Sequence, residues 1–285
     1  MKFQQVVVLS SLLFLSTTAA PCQSPSVKKS VPVKSPIAQN DYINLSSKQF
    51  TVWTRDKKKQ FEKELAQGSS NDTTLKSTLN LLGKALFARL KANKEVNDDS
   101  VGLVVYCWYS YEARPLQNVK SVPQYTNTKR VINSLLPYFY DRPLLSAGLR
   151  QRLAQLSSES NNAAQATSEY EKAYATLNNL HIQIDEQRVS VAISIAGIAF
   201  SSGDKIKAEK FYIEALRYDW TKIREPEAFQ RLRNLYIQAG RGLIQVRRGD
   251  LGALKNTSFY TSAMRELGPE LKQAIREADE KRLSQ

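Results

Sequence analysis

The chain has 285 residues, enough for one large helical domain or two smaller ones, and its hydrophobic content of 42% is ordinary for a protein with a packed core. Its formal net charge of +14 favours anionic partners, and its two cysteines are too few for a disulfide framework. Because glycine and proline are scarce and the alternation typical of strands is rare, we expect an all-α protein.

The first 20 residues have the pattern of a secretory signal peptide. Lys2 precedes a short apolar run, Val6–Leu15, and small residues follow the run. The run is too short to span a bilayer, so we predict an exported protein, periplasmic or extracellular. Cys22 lies where a lipoprotein carries its lipid, but Pro21 precedes it instead of a small residue. Lipid anchoring through Cys22 is the alternative, and only then do we expect a membrane contact.

Residues 21–45 are predicted to be a disordered basic linker, because prolines and lysines take the place of the apolar residues that a core needs. Residues 46–142 are predicted to form an N-terminal helical region, either a diverged repeat or a cap. A helix within it should bury Cys107 as an inert thiol, and another should stop at Pro137. The clearest element is a leucine stripe at helical spacing: Leu75, Leu79, Leu82, Leu86 and Leu90.

Two segments 42 residues apart share the spacing A-x₃-Y-x₂-A. Residues three and four apart share one helix face, where small residues let a neighbouring helix approach and the ring fills the remaining space. An apolar helix and a turn precede each segment, with Asn161–Asn162 at the first turn and Gly203 at the second. The segments are Ala166, Tyr170 and Ala173, then Ala208, Tyr212 and Ala215.

A third copy is incomplete. Residues 226–240 match its first helix, with Pro226 in the first turn, and the signature positions of its second helix hold Gln245, Gly249 and Gly252.

The pattern resembles the tetratricopeptide repeat over residues 143–240. The resemblance implies helical hairpins stacked as an α-solenoid, with a degenerate repeat and C-terminal capping helices in residues 241–285. A generic helical bundle that uses Ala and Tyr at its contacts is the alternative. The first helix of each repeat lines the groove in this family, which implies a non-catalytic scaffold that binds a protein or peptide. The groove residues implied are Gln151, Gln155, Arg188, Ser194, Arg233 and Gln238.

The positive charge is concentrated in two segments. Residues 114–152 contain seven basic residues and one acidic residue. Residues 220–255 contain eight basic residues and three acidic residues. The alternative function is therefore electrostatic binding of an anionic envelope polymer or a membrane surface, although a solvated surface without a ligand explains the charge equally well. Export argues against genomic nucleic acid. The basic candidates are Lys129, Arg130, Arg150, Arg152, Arg241, Arg247 and Arg248.

Aromatic residues lie among these charges, and each is a candidate either for stacking on a ligand or for the core: Tyr125, Tyr138, Phe139 and Tyr140.

Chemistry-bearing motifs are missing from the sequence. The single histidine, His181, has no cysteine or carboxylate cluster beside it, and no nucleophile motif or phosphate-binding glycine loop occurs. We therefore expect no enzyme activity, no metal and no cofactor.

Overall fold

The computed structural model describes residues 41–67, 72–114, 122–180, 185–216 and 226–247. Within these ranges the chain forms nine α-helices and two short 3₁₀ helices and contains no strand, so the predicted all-α fold is confirmed there. None of the described helices is long and apolar enough to cross a membrane. The predicted signal peptide, Cys22, His181 and Arg248 lie outside the described residues.

The chain divides after Arg114 into two units. The first consists of three packed helices, α1 (Ser47–Ala66), α2 (Asp72–Lys91) and α3 (Asp98–Ala113). Ser46 begins α1 with a capping box, in which its hydroxyl and the Gln49 side chain each bind the other's backbone amide. The leucine stripe of α2 is buried as predicted, and so is Cys107 of α3.

Arg89 of α2 holds the chain that precedes α1. Its side chain is only 2% exposed, and its Nη1 donates to the carbonyl oxygens of Tyr42 and Leu45 at 2.8 and 2.7 Å. The guanidinium also lies over the Phe50 ring, 4.6 Å from the ring centre. Residues 41–45 therefore belong to the folded unit and not to the predicted linker, because their carbonyl groups satisfy a buried cation.

Asp72 connects α2 to the end of α3. Its carboxylate accepts hydrogen bonds from Lys76 at 2.8 Å, from the Tyr111 hydroxyl at 2.8 Å and from Arg114. These donors hold the pKa of Asp72 well below its usual range.

The second unit begins with α4, which the sequence analysis places in the N-terminal region 46–142. Instead, α4 packs on α5 in this unit, since its apolar residues Val131, Ile132 and Leu135 are buried. As predicted, α4 ends before Pro137, which lies in a 3₁₀ helix, Leu136–Phe139. The α-helices are α4 (Thr126–Leu135), α5 (Pro143–Glu159), α6 (Ala163–Asn178), α7 (Asp185–Ser201), α8 (Lys205–Leu216) and α9 (Pro226–Val246).

Two helical hairpins, α5–α6 and α7–α8, form at the predicted turns. In the first turn Asn161 takes a positive φ of 59°, and the Asn162 side chain caps α6 by accepting from the Gln165 amide. In the second, Gly203 has a φ of 85°, a left-handed conformation that favours glycine at the end of a helix. All six residues of the two A-x₃-Y-x₂-A segments are buried, so their expected role in packing is confirmed.

Helix α9 departs from the expected third copy. It continues through Gly240 to Val246, so the placement of Gln245 in a following helix is wrong. The continuation brings Gly242 against the Tyr212 ring of α8. A Cβ atom at Gly242 would lie only 2.2 Å from Cζ of that ring. Gly249 and Gly252 lie outside the described residues.

We expect Gly242→Ala to destabilise the second unit by about 1–3 kcal/mol, because the added methyl group overlaps the Tyr212 ring. The effect opposes the gain of roughly 1 kcal/mol that alanine normally brings to a helix interior. Urea denaturation followed by far-UV circular dichroism measures the change in the free energy of unfolding.

The matched control is Gly197→Ala in α7, where an added Cβ meets no atom within 4 Å. This change should stabilise by about 0.5–1 kcal/mol. Equal effects of the two substitutions on the free energy of unfolding would contradict the close contact between Gly242 and the Tyr212 ring. The same conclusion would follow if Gly242→Ala destabilised the protein as much in a Tyr212→Ala background as in the original chain.

We also expect Asp72→Asn to lower the stability of the first unit at neutral pH and to flatten its dependence on acid. Since the folded pKa of Asp72 is below the unfolded value of about 3.9, its contribution is present above that pH and is lost as the pH falls toward the folded pKa. Tryptophan fluorescence measures this in a Trp220→Phe background, where Trp53 and Trp108 of the first unit are the remaining tryptophans.

Asp56→Asn removes the same charge from an exposed carboxylate whose oxygen is 3.9 Å from Lys59 Nζ, and it serves as the control. An acid transition that shifts equally in both variants would show that Asp72 has no special role.

Candidate functional site

The six predicted groove residues lie in pairs on three helices of the second unit. Gln151 and Gln155 are on α5, and the α7 pair is Arg188 and Ser194. Arg233 and Gln238 are on α9. All six are partly exposed, so each has polar atoms near the surface while its stem contributes to packing.

Gln151 joins α5 directly to α7. Its Nε2 donates to the Ser190 hydroxyl at 3.4 Å, and its Oε1 accepts from Gln187 Nε2 at 3.3 Å. These bonds place the polar side of α5 beside the polar side of α7. Neither Gln187 nor Ser190 was among the predicted groove residues.

One partly exposed side of α7 carries mostly small polar residues, while the apolar residues Val191, Ile195 and Ala196 on other sides are buried. Ser194 donates to the Ser190 carbonyl at 3.0 Å and is hydrogen-bonded to the buried Tyr170. At Gly197 an added Cβ would meet no atom within 4 Å, so the surface is open there. We call this set the α7 polar face: Gln187, Ser190, Ser194, Gly197 and Ser201.

The spacing of the α7 polar face is three, four, three and four, which is a single helical stripe. The signal was visible in the sequence as polar or small residues that interrupt an apolar helix at a regular period. Only Ser194 was identified from the sequence, because the family resemblance directed attention to individual positions and not to the period.

Gln155, another groove candidate, contacts a residue of its own helix. Gln155 Oε1 accepts from Arg152 Nη1 at 2.7 Å, which holds it against its own helix. The ion pair that joins α9 to α7 uses Arg231, whose Nε lies 3.1 Å from a carboxylate oxygen of Glu186. Arg231 was not predicted as a site residue, since a cation that pairs with a distant helix is indistinguishable in sequence from a free one.

Three of the described basic candidates make contacts within the fold. Arg152 is only 7% exposed and contributes to the interior, so its placement in a basic patch is wrong. Arg150 pairs with Glu169 at 2.9 Å, and Arg247 pairs with Glu209. The charge count along the sequence misses these carboxylates because they come from other helices.

Arg130 and Arg241 are exposed, and Lys129 donates to the Ser160 hydroxyl at 3.1 Å. Lys129 and Arg130 share an open, shallow depression on the outer side of α4, which no acidic residue lines. We call it the α4 depression, and its lining residues are Gln124, Thr126, Lys129, Arg130, Asn133 and Ser134.

Two of the four aromatic candidates, Tyr125 and Phe139, are buried and belong to the core. Tyr138 and Tyr140 are exposed, and Tyr140 is 85% exposed. The stacking role therefore remains open only for these last two.

The thiol of Cys107 is unsuited to chemistry, because burial raises its pKa to about 12. In the part of the chain that the structure describes, no three residues of the His, Cys, Asp and Glu types come together to hold a metal ion.

No known protein-family model matches the sequence, and none of the curated proteins compared with it is significantly similar. The candidate residues are therefore assigned from their geometry and chemistry.

Proposed function

We propose that this chain is an exported, non-catalytic scaffold whose hairpins stack as a tetratricopeptide-like solenoid and bind a peptide or protein segment. The binding surface in this proposal is the α7 polar face together with Gln151 of α5. The observation that carries the proposal is the pair of hydrogen bonds by which Gln151 connects the polar sides of α5 and α7.

Contacts between successive hairpins support the stacked arrangement. Lys207 of α8 pairs with Glu171 of α6 at 2.6 Å, which connects the second helices of the two hairpins. Gln151 connects the first helices. Arg231 and Arg247 of α9 pair with α7 and α8, respectively. Each hairpin is thus joined to the next element through both of its helices, as repeated hairpins in a solenoid require.

The chemistry of the α7 polar face suits an extended peptide. Amide and hydroxyl side chains supply both donors and acceptors, which match the alternating N–H and C=O groups of a peptide backbone. The small size of Ser190, Ser194 and Gly197 leaves room for a backbone to approach. Recognition of this type depends on shape and hydrogen bonding more than on net charge.

The predicted signal peptide is the feature that supports export. The linker that follows it, through residue 40, would separate the folded units from the point of attachment if Cys22 carried a lipid.

Electrostatic binding to an extended polyanion or to a membrane surface is the proposal with less support. Arg152 is buried, and Arg150 and Arg247 are neutralised by carboxylates. Among the described residues, these three arginines therefore add little to a cationic surface of the kind that strong salt-dependent binding needs.

The test uses peptides selected from a random phage-displayed library against the whole chain. Gly197→Leu should weaken the binding of the selected peptides by about tenfold or more, because it fills an open position on the α7 polar face. Isothermal titration calorimetry measures the affinities, and circular dichroism confirms that the variant is folded.

Ala175→Leu makes a comparable enlargement at an exposed position of α6 and should change the affinities by less than about twofold. The proposal fails if no peptide is selected, or if both substitutions weaken binding to the same degree.

A further inference from the structure

The exposed side of α4 carries two cations among neutral polar residues. Residues 113–140 contain no aspartate or glutamate, and none is among the described residues that line the depression. Lys129 and Arg130 lie in the α4 depression beside neutral amide and hydroxyl groups. The depression therefore combines positive charge with groups that both donate and accept hydrogen bonds.

Exposed apolar side chains are frequent in the part of the sequence that contains α4. In the described ranges, six large hydrophobic residues are exposed, and four of them lie between residues 122 and 144. Tyr138 follows Ser134 on the exposed side of the 3₁₀ helix that continues α4. A local concentration of exposed apolar groups is typical of a surface that another molecule covers. The four are Val122, Tyr138, Tyr140 and Leu144.

The number of cations distinguishes between classes of partner. Anionic membranes are recognised by clusters of about four to eight basic residues, whereas the α4 depression contains two. Tyrosine and arginine beside apolar groups are instead the combination enriched at the centres of protein–protein interfaces. The occupant that complements both features is a polypeptide segment that carries carboxylates and apolar side chains together.

We propose that the α4 depression and the exposed tyrosines after it are a docking surface for an acidic protein segment with apolar side chains. Arg130 binds a carboxylate of that segment, and Tyr138 and Tyr140 cover its apolar groups. Lys129 is held by Ser160 and adds positive potential, while Asn133 and Ser134 bind backbone groups of the segment. This surface is on α4 and the 3₁₀ helix, whereas the α7 polar face is on a different helix.

The test measures fluorescence anisotropy of a labelled peptide in which glutamates alternate with leucines and phenylalanines, titrated with the whole chain. Arg130→Glu should weaken its binding by about tenfold or more, and Tyr140→Ser by about fivefold. Both residues are exposed, so the variants should fold, which circular dichroism checks. A peptide with glutamine in place of each glutamate should bind at least about tenfold more weakly.

Arg241→Glu is the matched control, since it makes the same charge change at an exposed position of α9 and should alter the affinity by less than about twofold. Equal weakening by Arg130→Glu and Arg241→Glu would overturn the proposal, because it would indicate only long-range attraction. Absence of peptide binding would overturn it as well.

Displacement of the peptide by polyglutamate or by phosphatidylglycerol vesicles would overturn the proposal by assigning the surface to polyanions or membranes. Loss of peptide binding in Gly197→Leu would overturn it by assigning the peptide to the α7 polar face.

Discussion

Contact between one tyrosine and a small residue of the next helix controls the packing of the second unit. Tyr212 lies between Ala208 and Ala215 on α8, and its ring fills the space that a Gly242 side chain would need. Tyr170 has the corresponding position in the first hairpin and is hydrogen-bonded to Ser194 of α7. Both phenols are uncharged near neutral pH, as a tyrosine with its usual pKa of about 10 is, and burial raises the pKa of each further. The two tyrosines fix where each hairpin meets the next helix.

The same packing explains why α7 has a polar side at all. Most of its apolar residues are buried among the surrounding helices, and the polar stripe lies where side chains keep part of their hydration. Val191 and Ile195 pack in the interior, whereas Ser190 and Ser194 of the polar stripe contact neighbouring helices and also keep some exposed surface. A binding surface built in this way can change its specificity through Ser190 or Gly197 without altering the core that Val191 and Ile195 form.

Local patterns in the sequence were sufficient for most of the fold. Leucine spacing, prolines and the Gly203 turn each act within one helix or one turn, so the helices of the first hairpins were predictable. Features that depend on contacts between residues far apart in the sequence were not predictable from such patterns. Knowledge of tertiary packing is needed to predict the approach of Gly242 to the Tyr212 ring, the burial of Arg152 and the pairing of Arg150 with Glu169. The groove residues predicted from the sequence include Gln151 and Ser194 but not Gln187 or Ser190, because hydrogen bonds between α5 and α7 leave no mark on the sequence.

The bonds of Arg89 have a mechanical consequence. The chain that enters the first unit is fastened at the carbonyls of Tyr42 and Leu45, ahead of the first turn of α1. A pull on the residues before Asp41 would therefore load the guanidinium of Arg89, in the last turn of α2, before it reached the capping box of Ser46. Tension from an attachment at the N-terminal end would thus be carried by the middle helix of the bundle, and α1 would stay wound until those bonds broke.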